Sequence, residues 1–149
     1  MSLVDIQVED RSSKAPDESQ LSDWIETIFS VLKCPPTALT IRIVDEEEMT
    51  ELNRRYRGEN RSTNVLSFPF EPLPKIDVDL LGDIVLCGSV VAREAMTQKK
   101  SLMGHWAHMI VHGMLHLFGY DHETDCQAKE MEGVEQKLLA RLGFSDLYK

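Results

Sequence analysis

The chain has 149 residues, 42% of them hydrophobic, and carries 25 Asp and Glu against 16 Lys and Arg for a formal net charge of −9. That length suits one ordinary domain with a proper core, and the apolar fraction excludes a wholly disordered chain. The acidic balance excludes a general nucleic-acid-coating protein, which would be basic overall, but not a local basic groove. The three cysteines, Cys34, Cys87 and Cys126, are widely spaced with no C-x-x-C pair, so they read as reduced thiols rather than a disulfide framework or zinc knuckle. Cys126 lies four residues after His122 and is expected to pack on the helix that follows, rather than to approach a metal. No apolar run reaches the roughly eighteen residues of a membrane span, and Met1 to Asp5 lacks the order of a secretion signal. One domain over residues 1–149, cytoplasmic and without membrane contact, is therefore expected.

In chain order, Val4, Ile6 and Val8 alternate with polar residues as in a half-buried strand, and Asp17 to Leu32 has helical spacing around Leu21, Trp24, Ile25 and Ile28. Cys34-Pro35-Pro36 stops that helix. Leu39, Ile41 and Ile43 form a second alternating strand. Asp45 with Glu48 three residues later is a capping-box pattern for a helix to about Arg55, which Gly58 would end. Asn64 to Phe68 reads as a third strand and Leu80 to Cys87 as a fourth, apolar enough to be central. Between them, Pro69 to Asp79 holds three prolines and is a loop, whether a substrate-shaping one or a simple connector. Ser101 to Phe118 is apolar almost all round and so predicts a buried helix, and Asp125 onward reads as an amphipathic helix stopped by Gly143. The fold class is α+β, a single domain with a small mixed four-stranded sheet packed with about five helices, its central buried helix carrying the metal ligands.

That buried helix ends in the most informative residues of the chain. His112, His116 and His122 stand at offsets zero, four and ten, with Gly119 between the last two. Two histidines four apart share one helix face and can reach one cation. A glycine just past the last apolar turn can take the left-handed conformation that turns the chain back and brings in the third. Three imidazoles suit zinc, and three protein ligands rather than four leave the open position of a catalytic site. His108, one turn before His112, reads as a hydrogen-bonded core histidine with a partner role behind the metal as the alternative. His105 reads as a surface or boundary residue.

The same spacing occurs in the metzincin motif H-E-x-x-H-x-x-G-x-x-H. Those peptidases use the glutamate after the first histidine as general base, and here Gly113 stands in its place. The cage of a zinc hydrolase is present without the base of a peptidase.

The run from His112 to His122 resembles the signature H-G-x-L-H-L-x-G-Y-D-H of the YbeY family, bacterial endoribonucleases that mature ribosomal RNA. Tyr56-Arg57-Gly58, Thr63-Asn64-Val65-Leu66-Ser67-Phe68-Pro69 and Leu81-Gly82-Asp83-Ile84 are similar to that family's central blocks in order and spacing. The resemblance runs from about residue 40 to the C-terminus. It implies one zinc per chain on His112, His116 and His122, a functional arginine at Arg57, and single-stranded RNA as substrate. It further implies small-subunit rRNA 3′ end maturation and ribosome quality control, with small-subunit proteins and an assembly GTPase as partners.

Arg54, Arg55, Arg57 and Arg61 fall within eight residues, opposed only by Glu59 in that stretch. For Arg54, Arg55 and Arg61 a solvated helix end is an equal reading, whereas the resemblance selects Arg57. A guanidinium presents a planar fork to phosphoryl oxygens as negative charge builds on them, and zinc-activated water needs little help from a separate base, which removes the difficulty at Gly113. Arg57 and His112 are the expected catalytic residues. The residues leave open whether water or the RNA 2′-hydroxyl attacks, and whether Asp121 protonates the leaving oxygen or orients His122. Two readings of other classes compete: a metallopeptidase with its base supplied from elsewhere, and a non-catalytic ribosome-assembly factor with a structural zinc.

Overall fold

The computed structural model describes residues 4–10, 14–34, 37–69, 80–120 and 123–144. The elements follow as β1 (Val4–Val8), α1 (Glu18–Val31), β2 (Ala38–Val44), α2 (Glu46–Arg57), β3 (Val65–Pro69), β4 (Leu80–Cys87), α3 (Gly88–Thr97), α4 (Leu102–Leu117) and α5 (Asp125–Leu142). One four-stranded sheet has the order β1-β2-β4-β3, parallel between β1, β2 and β4 and antiparallel between β4 and β3. This is the expected small α+β domain with five helices and a mixed sheet. Of the connecting segments, Pro35 and Pro36, most of the Pro69 to Asp79 loop, and Asp121 with His122 lie outside the described residues.

The period-two alternation of the strands decides which layer each residue joins. Ile84 and Leu86 of β4, with Leu39, Ile41 and Ile43 of β2, enter a large core with Leu21, Ile25 and Ile28 of α1, Ile110 and Met114 of α4, and Leu138 of α5. Val85 and Cys87 point the other way and pack with Val44, Leu66 and Met49 of α2. With helices on both faces, β4 is buried at every position from Ile84 to Cys87, which is why it reads as continuously apolar rather than alternating.

The helix ends follow the expected chemistry. Asp17 and Asp45 accept the Gln20 and Glu48 N–H groups at 2.8 Å as N-caps, and Gly58 and Gly143 end α2 and α5 in the left-handed conformation. After α4, Gly119 has φ +94° and Tyr120 N–H returns to the Leu115 carbonyl at 3.0 Å, the left-handed turn that the motif required.

One helix is added to the four located in the sequence, and two expectations are corrected. A helix, α3, begins directly at the end of β4, with Cys87 in the cap position offering no side-chain bond; without a capping residue or spacer, its start leaves no mark in the sequence. His105 is not at the surface but 2% exposed, because the α4 stripe it shares with Leu102 and Met109 faces inward against α3. Cys126 does not pack: it is exposed in the first turn of α5.

Candidate functional site

Arg57, Asn64, Ser67, His112, His116 and Glu123 lie around one cleft of about 550 Å³. One wall is the segment from Thr63 into β3, the other is the C-terminal half of α4, and Arg57 stands at the last turn of α2. Two stretches distant in sequence, Arg57 to Pro69 and α4, thus converge, and the long buried body of α4 holds the histidine stripe rigidly, as precise chemistry requires.

On α4, His112 Nε2 and His116 Nε2 approach to 3.0 Å with their rings nearly perpendicular. Behind them sits Glu135 of α5, 4% exposed, with Oε2 accepting from His108 Nε2 at 2.8 Å and lying 3.5 Å from His112 Nδ1. Burial pushes this carboxyl up, but hydrogen bonds from His108 and His112 outweigh burial and hold its pKa at about 2. Glu135 is therefore a buried carboxylate that orients the imidazoles, the kind of role the sequence offered to Asp121. Its signal was present in the sequence, a glutamate on the apolar stripe of Met131 and Leu138, where a charge needs a partner.

The donor chemistry fits a metal ion. With nitrogen ligands at about 2.0–2.1 Å, two imidazoles sharing a tetrahedral zinc place their nitrogens roughly 3.3 Å apart, close to the spacing of His112 and His116. A carboxylate on the far nitrogen of a ligating histidine fixes its tautomer and raises its basicity. Among the described residues no third His, Cys, Asp or Glu completes a metal-holding group with them; His122, the expected third ligand, lies outside those residues.

Gly113 has a packing reason. A Cβ there would stand 3.0 Å from Ile84 Cγ2 and 3.3 Å from Ser67 Oγ, and the Ser67 hydroxyl donates to the Gly113 carbonyl at 3.0 Å. Position 113 faces the sheet, one residue around the helix from the histidine stripe, where an added side chain would press on Ile84 and Ser67 and make them give by a few tenths of an ångström.

The arginines differ in their partners. Arg54 and Arg55 both pair with Glu51, and Arg61 pairs with Glu59. The cluster is therefore opposed by Glu51 as well as Glu59, because one helical turn brings Glu51 beneath Arg54 and Arg55. Among the described residues Arg57 makes no ion pair, and of the four it alone lines the cleft.

A family profile described as Endoribonuclease YbeY matches residues 5–143. The match begins well before residue 40, so β1 and α1 belong to the same family domain although the quoted motifs do not reach them. Among solved structures, the solution structure of a protein from Thermotoga maritima is similar at 30% identity, over 93% of this chain and 88% of that one, with a TM-score of 0.64.

Proposed function

We propose that this chain, which belongs to the YbeY endoribonuclease family, is a zinc-dependent endoribonuclease that cuts single-stranded RNA in the cytoplasm. Its place would be rRNA processing, at the 3′ end of the small-subunit rRNA and in ribosome quality control. The observation that carries the reading is one cleft lined by two imidazoles at metal-sharing distance and by an arginine with no carboxylate partner among the described residues.

The ligand set is His112, His116 and His122. Bound there, zinc supplies Lewis acidity and a nucleophile at neutral pH. Glu135 keeps the proton of His112 on Nδ1, so that Nε2 faces the cleft with its lone pair. Arg57 binds non-bridging phosphoryl oxygens, where its planar fork is worth most as charge develops. Hydrogen bonding between Ser67 and the Gly113 carbonyl fixes the separation of the two walls. An acidic chain of this size offers little surface for reading sequence, so selection of one rRNA end falls to partners, small-subunit proteins and an assembly GTPase.

The metallopeptidase reading loses support at Gly113, which carries no group able to move a proton where a peptidase has its glutamate base. The test compares cleavage of a labelled single-stranded RNA by the wild type and His116→Ala, with zinc measured on both. About one zinc and cleavage in the wild type, both lost in the variant, is the expected result. Zinc binding without cleavage by the highly purified wild type would overturn the catalytic reading of the isolated chain and leave an assembly factor or an enzyme that acts only on the ribosome.

A further inference from the structure

A part-buried polar chain runs from His105 in the core to the cleft. His105 of α4 donates from Nε2 to Glu94 Oε1 at 2.9 Å, and Glu94 of α3 accepts from Asn64 Nδ2 at 3.0 and 3.2 Å. Asn64 lines the cleft at the entry to β3. Its Oδ1 accepts the Val65 N–H at 2.7 Å and its backbone carbonyl accepts the Cys87 N–H at 3.0 Å. The carboxamide orientation follows from its partners, since only the amide nitrogen can donate to a carboxylate and only the oxygen can accept from an N–H.

Both ends of the Asn64 side chain thus hold partners inside the protein. The residue ties the Thr63 to Ser67 wall to α3, and through Glu94 to the helix whose next three turns carry His112 and His116. His105 Nδ1 finds no hydrogen-bond partner among the described residues, so Glu94 is the polar anchor of that ring. A network with so little slack transmits a change at one member to the next.

We infer that Asn64, Glu94 and His105 form a positioning relay that sets the β3 wall of the cleft against the histidine stripe of α4, and thereby the alignment of RNA for cleavage. The inference rests on the endoribonuclease reading. None of the three touches the reacting atoms. They act through the segment they hold, and displacement of a catalytic wall by about 1 Å is enough to cost on the order of 100-fold in rate.

The test exploits hydrogen-bond polarity. Asn64→Asp is isosteric but sets a carboxylate against Glu94, and it is expected to lower kcat on single-stranded RNA by about 10- to 100-fold with zinc content unchanged. Adding Glu94→Gln reverses the donor and the acceptor: the new amide at position 94 donates to the new carboxylate at position 64 while its carbonyl accepts from His105. The position-64 carboxylate still accepts the Val65 N–H. The double variant is expected to return kcat to within about threefold of wild type, a coupling that additive effects cannot give.

A merely structural role would lower the thermal midpoint of Asn64→Asp and leave kcat intact at temperatures where the protein is folded; that result overturns the relay. So does a folded, zinc-loaded double variant as slow as Asn64→Asp. If Asn64→Asp does not fold, the double variant decides: folded and active supports the relay, folded and slow overturns it, and a double that also fails to fold overturns the polarity exchange on which it stands. A wild type that binds zinc and leaves RNA intact is distinguishable from all of these and overturns the underlying reading together with the relay.

Discussion

Four arginines within eight residues look equivalent in a sequence, and their neighbours make them different. Arg54, Arg55 and Arg61 are more than half exposed and paired with nearby glutamates, and such surface pairs contribute about 0–1 kcal/mol each. Arg57→Ala is expected to reduce RNA cleavage by about 100- to 1,000-fold, the range for loss of one donor to a developing oxyanion, with zinc content and thermal midpoint unchanged. Arg54→Ala, tested in parallel, is expected to cut at nearly the wild-type rate. Loss of folding in Arg57→Ala, or unchanged cleavage, would remove that residue from the mechanism. The salt dependence of RNA binding gives a second readout: removing one phosphate contact should flatten the log–log slope by about 0.7.

At the scale of the element, α4 is both core and cleft wall, and its histidine stripe faces a wall that must come close. Two glycines make that approach possible. A Cβ at Gly82 would lie 2.4 Å from the Phe68 carbonyl oxygen and 2.9 Å from Leu117 Cδ2, at φ +148°. Gly82→Ala must therefore push β3 or α4 aside, and a loss of about 1–3 kcal/mol in chemical unfolding is expected, the usual cost of overpacking. An Ala variant as stable as the wild type would show that the two elements have more freedom than their contacts indicate. The caps act at the same scale: Asp45→Ala leaves the Glu48 N–H without its acceptor and is expected to cost about 0.5–2 kcal/mol, measurable as a shift in denaturation midpoint. Helices with such caps are legible in the amino-acid sequence alone. Helix α3 is not, because it follows β4 without a break and its first residue is a glycine that no capping side chain precedes.

For the whole molecule, acid stability is set by groups whose protonation differs between the folded and unfolded chain. Burial lowers the pKa of His105 from 6.5 although the Glu94 hydrogen bond opposes it, so the unfolded chain takes up a proton at a pH where the folded one does not. Stability is then lost as pH falls below 6.5 toward the folded value. His105→Gln keeps a donor for Glu94 without a titrating ring and should show a flatter thermal midpoint between about pH 7 and 5 than the wild type; parallel curves would exclude His105 as the cause. Glu135, depressed from 4.5 to about 2, contributes stability that is present above pH 4.5 and is lost as the pH falls toward 2. The same scale governs substrate approach. With a net charge of −9, most of the surface repels a polyanion such as RNA, so under the proposed function binding is expected to concentrate in the cleft that Arg57 lines.

The amino-acid sequence by itself determined the local features of this protein. Residue spacing encodes helix and strand periodicity, Asp and Gly mark ends that only they satisfy cheaply, and two histidines four apart must share a helix face. Those rules suffice to place β1 to β4, four of the five helices and the His112 and His116 stripe. Tertiary structure decided what depends on distance between segments far apart in the chain. It set Arg57 of α2 and Ser67 of β3 across a cleft from α4, carried Glu135 of α5 behind His112, and turned His105 from an apparent boundary residue into a buried link to Glu94 and Asn64. The physical reason is that burial and pairing of a charge belong to the packed whole: a glutamate or histidine reads the same in sequence whether solvent or another helix lies across from it.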